Sequence, residues 1–247
     1  MKNTMQRLGY LIIAMSFALI LKAQQGVTTF GVSVRPIFPL GIVNTDVISF
    51  DDGASGSRLT VNSMAGYSLG AVIRFGLTKR FSIETGIHYN ARFYDFQLEN
   101  NGFPNSSAQL RFPGYEIPLH GMVFVRLGQE TYMTATAGLI FDLFPTGGIS
   151  TYDRDTMYYG MLERNWVIVG LGSNLGFEWR SQDKGYFYIG ASYHNTLGDL
   201  ADLFIAYRVP NTDNFVDLIE PVPSINGNYL SLDFRYFFDP GKKKDRK

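Results

Sequence analysis

Arg80-Phe-Ser-Ile-Glu-Thr-Gly-Ile-His-Tyr-Asn-Ala-Arg-Phe93 alternates without a break. Phe81, Ile83, Thr85, Ile87, Tyr89, Ala91 and Phe93 share one side of a period of two. Ser82, Glu84, Gly86, His88, Asn90 and Arg92 share the other. Successive side chains point to opposite faces only in a strand, so this segment is read as one, with an apolar and aromatic face backed by a charged face. Its length also matters: about ten residues of tilted strand suffice to cross a bilayer.

The same pattern recurs along the chain. Leu230, Leu232, Phe234, Tyr236 and Phe238 oppose Ser231, Asp233, Arg235 and Phe237, and similar stretches lie at about 27–38, 63–76, 114–127, 131–144, 164–179 and 185–196. Eight strands result, with Pro36 and Pro118 each expected to remove a ladder donor locally. Long connections at 39–62, 95–113, 145–163 and 197–226 alternate with short ones at 77–79, 128–130 and 180–184. That asymmetry is the plan of an all-β, eight-stranded antiparallel up-and-down transmembrane barrel, in which an even strand count puts both termini on the periplasmic side.

Charge placement separates a membrane barrel from a soluble one. The eight Lys residues lie in the N-terminal segment, at turns (Lys79, Lys184) or in the C-terminal tail, and never within an expected strand. The apolar faces carry no charge, whereas a soluble barrel needs a solvated exterior. A cation at mid-depth on a lipid face costs about 2–4 kcal/mol. The opposite faces carry Arg35, Arg74, Arg92, Arg126 and Arg235 with Glu84, Glu116, Asp142, Glu178 and Asp233. Five positive and five negative groups balance inside a lumen that eight strands leave just wide enough for side chains, so an ion-paired plug is expected. Aromatic residues near strand ends, among them Phe81, Phe93, Tyr115, Trp166, Trp179 and Tyr229, fit interfacial girdles.

The N-terminus reads as a signal peptide over 1–23: Lys2 and Arg7 precede the uncharged run Leu8–Leu21, with cleavage after Ala23. The run is too short for a membrane-spanning helix, which needs about 20 residues. The barrel is assigned to 24–239 and a basic periplasmic tail to 240–247. With no Cys in the chain, disulfides and thiolate metal sites are excluded. A formal net charge of zero gives no field that would gather nucleic acid.

Gly114-Tyr-Glu-Ile-Pro-Leu-His120, opening the fourth strand, and Asn195-Thr-Leu-Gly-Asp-Leu200, ending a later one, resemble motifs of the PorT-like small outer-membrane barrels, of the OmpA/OmpX-like eight-stranded type. The resemblance implies a non-enzymatic barrel in the outer membrane of a Gram-negative cell. It also implies an accessory role in a secretion or assembly complex of the envelope, with lipid and a protein as partners. His120 and the tail depart from the family's pattern. A small passive porin-like channel and a free-standing structural or adhesive protein are the alternatives.

No nucleophile elbow or HExxH motif occurs, so no catalytic residue, cofactor or metal is assigned. His88, His120 and His194 all fall on inward faces as polar filler. Asp51-Asp52 and the pair Asp153/Asp155 read as solvated acids, and Asp155-Thr156-Met157 matches a short glycosylation signal of such bacteria. The last long loop is unusually apolar. Leu203, Phe204, Ile205, Tyr207 and Phe215 offer either a partner-docking surface or a lid packed over the barrel mouth.

Overall fold

The computed structural model describes residues 28–40, 47–52, 57–100, 105–145, 148–153, 157–181, 185–208, 215–217 and 224–238. The expected signal segment, the basic tail and Thr156 lie outside them. Fourteen strands are described. They are β1 (Thr28–Pro39), β2 (Val47–Asp52), β3 (Ser57–Gly76), β4 (Phe81–Asn100), β5 (Ser106–Arg126), β6 (Thr131–Leu143) and β7 (Gly148–Asp153), followed by β8 (Met157–Glu163), β9 (Val167–Ser181), β10 (Gly185–Thr196), β11 (Asp199–Arg208), β12 (Phe215–Asp217), β13 (Ser224–Asn226) and β14 (Tyr229–Phe237).

Eight of these close into an antiparallel ring in the order β1-β3-β4-β5-β6-β9-β10-β14, with β14 pairing back onto β1. Closure leaves no edge among these eight over the length they share. The fold is therefore the all-β, eight-stranded up-and-down barrel expected from the alternation. At one end the hairpins are tight. Leu77 and Thr78 both donate from their backbone N to Phe81 O at 3.0 Å, and the Thr78 hydroxyl accepts from the Arg80 and Phe81 N–H groups. A second tight turn runs from Leu127 to Thr131. Gly185 has φ 79°, a left-handed conformation that glycine adopts without a Cβ clash where the β9–β10 hairpin turns. Thr28 pairs with Phe75 at this same turn end.

The prolines cost rungs without shifting register. The β1–β14 ladder lacks the pairs at Arg35 and Pro36, and resumes in step at Ile37. Opposite Pro118 the β4–β5 ladder also skips, and the Thr85 hydroxyl donates to Pro118 O at 2.7 Å.

The barrel exterior is apolar over the shared strands. Phe30, Val34, Leu69, Ile87, Leu119, Leu171, Leu175 and Leu232 all point outward and are exposed. On β5 the outward apolar run extends from Tyr115 to Val125. At about 3.3 Å per residue and a tilt near 40°, that is roughly 25 Å along the barrel axis, the height of the lipid-facing band of outer-membrane barrels.

Away from the turn end, the structure departs from the expected loops. β3, β4 and β5 do not stop where the apolar exterior stops. Residues 57–62, 95–100 and 106–113, expected in loops, continue the same ladders. Their polarity inverts: Asp95, Gln97 and Glu99 now point outward, while Phe96, Leu98, Leu110 and Phe112 turn inward and are fully buried. On β3 the change comes with a bulge between Met64 and Tyr67, where one extra residue flips the alternation. Below the bulge Ser68, Val72 and Arg74 point inward; above it Leu59 and Val61 do.

A second sheet, ordered β12-β11-β8-β7 with β13 also on β11, packs into this apolar interior. Met157, Tyr159 and Met161 of β8 and Leu203 and Ile205 of β11 join Leu59, Phe96 and Phe112 in one core. Phe96 meets Tyr159 edge-on at 5.9 Å, and Phe112 lies 5.3 Å from Phe144. Each such buried side chain contributes about 1.5–3 kcal/mol, so the cap is held by a core that it shares with β3, β4 and β5.

Candidate functional site: a charged lumen beneath the cap

Alternation places every second residue of the eight strands in the lumen, and these positions carry the charge. From the turn end, six groups of alternating sign form a chain. Arg180 Nε meets Glu178 Oε1 at 2.6 Å, and Glu178 Oε2 meets Arg74 Nη1 at 2.6 Å. Arg74 Nη2 reaches Glu84 Oε2 at 3.1 Å; Glu84 Oε1 accepts from Arg235 Nη1 at 2.5 Å, and Arg235 Nη2 donates to Asp233 Oδ2 at 2.5 Å. Asp233 further accepts from Ser192, Ser231 and Asn174. Arg74 also sits 4.0 Å from the ring centre of the buried Phe237.

A second chain lies nearer the cap. Arg35 Nη2 pairs with Glu116 Oε1 at 3.0 Å, and Arg92 Nη2 with Asp142 Oδ1 at 3.2 Å. Glu116 and Asp142 are direct neighbours across β5 and β6, an arrangement of like charges that is unfavourable unless compensated. His194 stands between them, with Nδ1 3.5 Å from Glu116 Oε2 and Nε2 2.8 Å from Asp142 Oδ2. Its ring stacks on Tyr229 at 4.5 Å, and Tyr229 donates its hydroxyl proton to Glu116 at 2.5 Å.

Nine of the ten residues assigned to the lumen from sequence point inward and are buried: Arg35, Arg74, Glu84, Arg92, Glu116, Asp142, Glu178, Asp233 and Arg235. Arg126 does not. It is exposed at the turn end, where its guanidinium donates to Gly128 O at 2.7 Å and Gln129 O at 3.3 Å. Its parity is right, but at a strand terminus a long side chain reaches water and the turn's free carbonyls. Arg180 takes the fifth cationic place. It lies one residue past the expected strand end, and its spacing of two from Glu178 was the signal available.

The three histidines, assigned separately to inward faces, share a neighbourhood. All line a small cavity of about 20 Å³ together with Arg35, Glu84, Glu116 and Arg235. His120 fits because its neighbour is glycine: a Cβ on Gly172 would lie 2.7 Å from His120 Nε2. Among the described residues, Glu116, Asp142 and His194 form the one group with donor atoms close enough to hold a metal, all within 4.8 Å. Arg35 and Arg92 each already neutralise one of its carboxylates, so the group offers a cation no net negative charge.

The apolar loop is a strand. Leu203 and Ile205 are 0% and 2% exposed on the inner face of β11, so they cannot present a docking surface. Phe204 faces the other way, 5.3 Å from the Tyr158 ring and over Gly160, whose hydrogen is all that its ring leaves room for. Tyr207 and Phe215 lie in β11 and β12, and their side chains fall outside the described residues, as do those of Asp51, Asp52 and Asp153. Arg164 ties the strand down through Asp199 at 2.5 Å and Asp202 at 2.8 Å. Of the two readings offered by the sequence, the packed lid is the one that Leu203 and Ile205 adopt.

No family model and no curated protein sequence matches the chain. Among solved structures it is similar to the outer membrane protein OprG from Pseudomonas aeruginosa, at 15% identity and a TM-score of 0.51, covering 86% of this chain and 96% of that one. It is also similar to the β domain of the Bordetella autotransporter BrkA, at 9% identity and a TM-score of 0.34, over 87% and 99% of the two chains. The likeness to OprG is one of fold: a barrel of the type found in outer membranes.

Proposed function

We propose that the protein is an integral outer-membrane barrel that neither conducts nor catalyses. It acts through its surface, as an accessory subunit of an envelope complex of the kind the PorT-like resemblance implies. The observation that carries the reading is the filled interior: a charged lumen paired from Arg180 to Arg92, beneath an apolar cap at the end away from the tight turns. A lumen so filled leaves little room for solute. The folded cap, in contrast, holds a defined outer surface to the solvent. Both termini then lie on the periplasmic side and the cap outside the cell, and lipid is the partner of the apolar band. Nucleic acid and cofactors have no place in this reading.

Native-size analysis of the protein gently extracted from its own membrane, with mass spectrometry of what co-elutes, tests the role. A large assembly with defined companions supports the accessory function. A lone barrel of monomer size overturns it in favour of a structural or adhesive protein.

A further inference from the structure

Arg111 is an outward-pointing cation just beyond the cap-side end of the apolar band, in the zone where Asp95 and Glu99 of β4 also turn outward. It stands on β5 directly opposite Phe93 of β4 and four residues beyond Tyr115. By strand rise and tilt, that is about 10 Å above the level where the apolar run ends, the depth of lipid phosphates rather than of acyl chains.

Its setting is built. The guanidinium donates to the Tyr89 hydroxyl in a short contact and to the Tyr67 hydroxyl at 3.5 Å, and lies 5.6 Å from the Tyr89 ring centre. Tyr67, Tyr89, Tyr115 and Phe93 form a contiguous aromatic patch, with ring centres 6.5 Å apart for Tyr67–Tyr89, 5.7 Å for Tyr89–Tyr115 and 6.3 Å for Tyr67–Phe93. The side-chain partners of the Arg111 guanidinium are thus neutral hydroxyls, which orient it without cancelling its charge. Each tyrosine oxygen that accepts from Arg111 still has its own proton to donate. A phosphate oxygen placed there meets a planar cation and two hydroxyl donors at once, with apolar wall directly below for acyl chains.

We propose that Arg111, Tyr67 and Tyr89 form a binding site for the phosphate headgroup of a membrane lipid in the leaflet at the cap end. The site rests on the membrane reading above, and the two can fail separately. Arg111 anchors the barrel to a charged lipid at a defined height and angular position, while Tyr115 and the band beneath it take the chains.

The test uses the full mature chain refolded in a maltoside detergent, with heat-modifiable electrophoretic mobility reporting the folded barrel. Dioctanoyl phosphatidic acid is titrated in and retained lipid is counted by native mass spectrometry, for the parent and for Arg111→Gln, Arg111→Lys and Arg126→Gln. The site predicts one lipid retained at least tenfold more tightly by the parent and Arg126→Gln than by Arg111→Gln, with Arg111→Lys between. Dioctanoylglycerol, which lacks the phosphate, should not be retained, and inorganic phosphate at equal concentration should not displace the lipid. Equal retention by the parent and both Arg111 variants overturns the site. Full displacement by inorganic phosphate overturns the lipid as its ligand. Failure of every variant and of the parent to enter vesicles would instead overturn the membrane reading. If Arg111→Gln alone does not fold, Tyr67→Phe combined with Tyr89→Phe replaces it, with at least a threefold loss expected and no loss overturning the proposal.

Discussion

The two halves of this molecule solve the same packing problem with opposite polarity. Between the turns and the level of Arg92, the strands put Leu, Val, Phe and Ile outside and ion pairs inside. Above that level β3, β4 and β5 carry on as the same strands, yet Phe96, Leu98 and Phe112 are inside and Asp95, Gln97 and Arg111 outside. Strand pairing runs on across the boundary, with β3 adjusting its face through the bulge between Met64 and Tyr67; what differs on the two sides is the solvent. Hydrocarbon outside makes an apolar exterior favourable and pushes charge into the lumen, where it must pair. Water outside restores the ordinary arrangement, and the cap can then close the barrel with an apolar core. The polarity switch is therefore a physical marker of where the bilayer ends.

Substitutions in each half should break by different mechanisms. The largest effect is expected at Glu84, which holds both Arg74 and Arg235. Glu84→Ala leaves two buried guanidinium groups short of a partner and should cost about 3–5 kcal/mol in equilibrium urea unfolding from vesicles. In the cap the loss is of packing. Leu203→Ala should cost about 2–5 kcal/mol, read as faster hydrogen exchange in β8 and β11 while the barrel strands keep their protection.

A third experiment addresses the boundary itself. Leu171 points outward at mid-band, so Leu171→Arg should destabilise the inserted barrel by about 2–4 kcal/mol, whereas Gln97→Arg, outward on the cap side, should stay within about 0.5 kcal/mol. Equal costs at the two positions would erase the distinction between halves. The smallest effect is expected at Arg126, exposed and, among the described residues, bonded to turn carbonyls. Arg126→Ala should change stability by less than about 1 kcal/mol, far below any arginine of the lumen.

How much of this was legible follows from the same contrast. Phe81 to Phe93 announced a strand because one solvent acts on the whole segment, and alternation plus the placement of Lys then gave eight strands and the inward set of charges. The reading stopped at Tyr94 because polarity reverses there: a pattern tuned to apolar exteriors treats Asp95-Phe-Gln-Leu98 as loop. The bulge between Met64 and Tyr67 was hidden for a related reason, since one extra residue flips the face; Gly66, where a Cβ would lie 2.3 Å from Ala91 O, was the local signal available. Cap strands β8 and β11 were unreadable as strands because both their faces are apolar in part. Met157, Tyr159 and Met161 are buried in the core, while Tyr158 packs on Phe204 across the outer face. The His194 bridge between Glu116 and Asp142 joins β5, β6 and β10, a convergence set by ring closure rather than by spacing along the chain.

The most direct test of the account is conductance of the purified, folded barrel in a planar lipid bilayer. A lumen filled with paired charge beneath the cap predicts no stable unit steps at moderate voltage, and none for Arg126→Ala. Reproducible single-channel steps in the parent protein, altered in size or ion preference by Arg92→Ala, would contradict it and make the lumen a working pore.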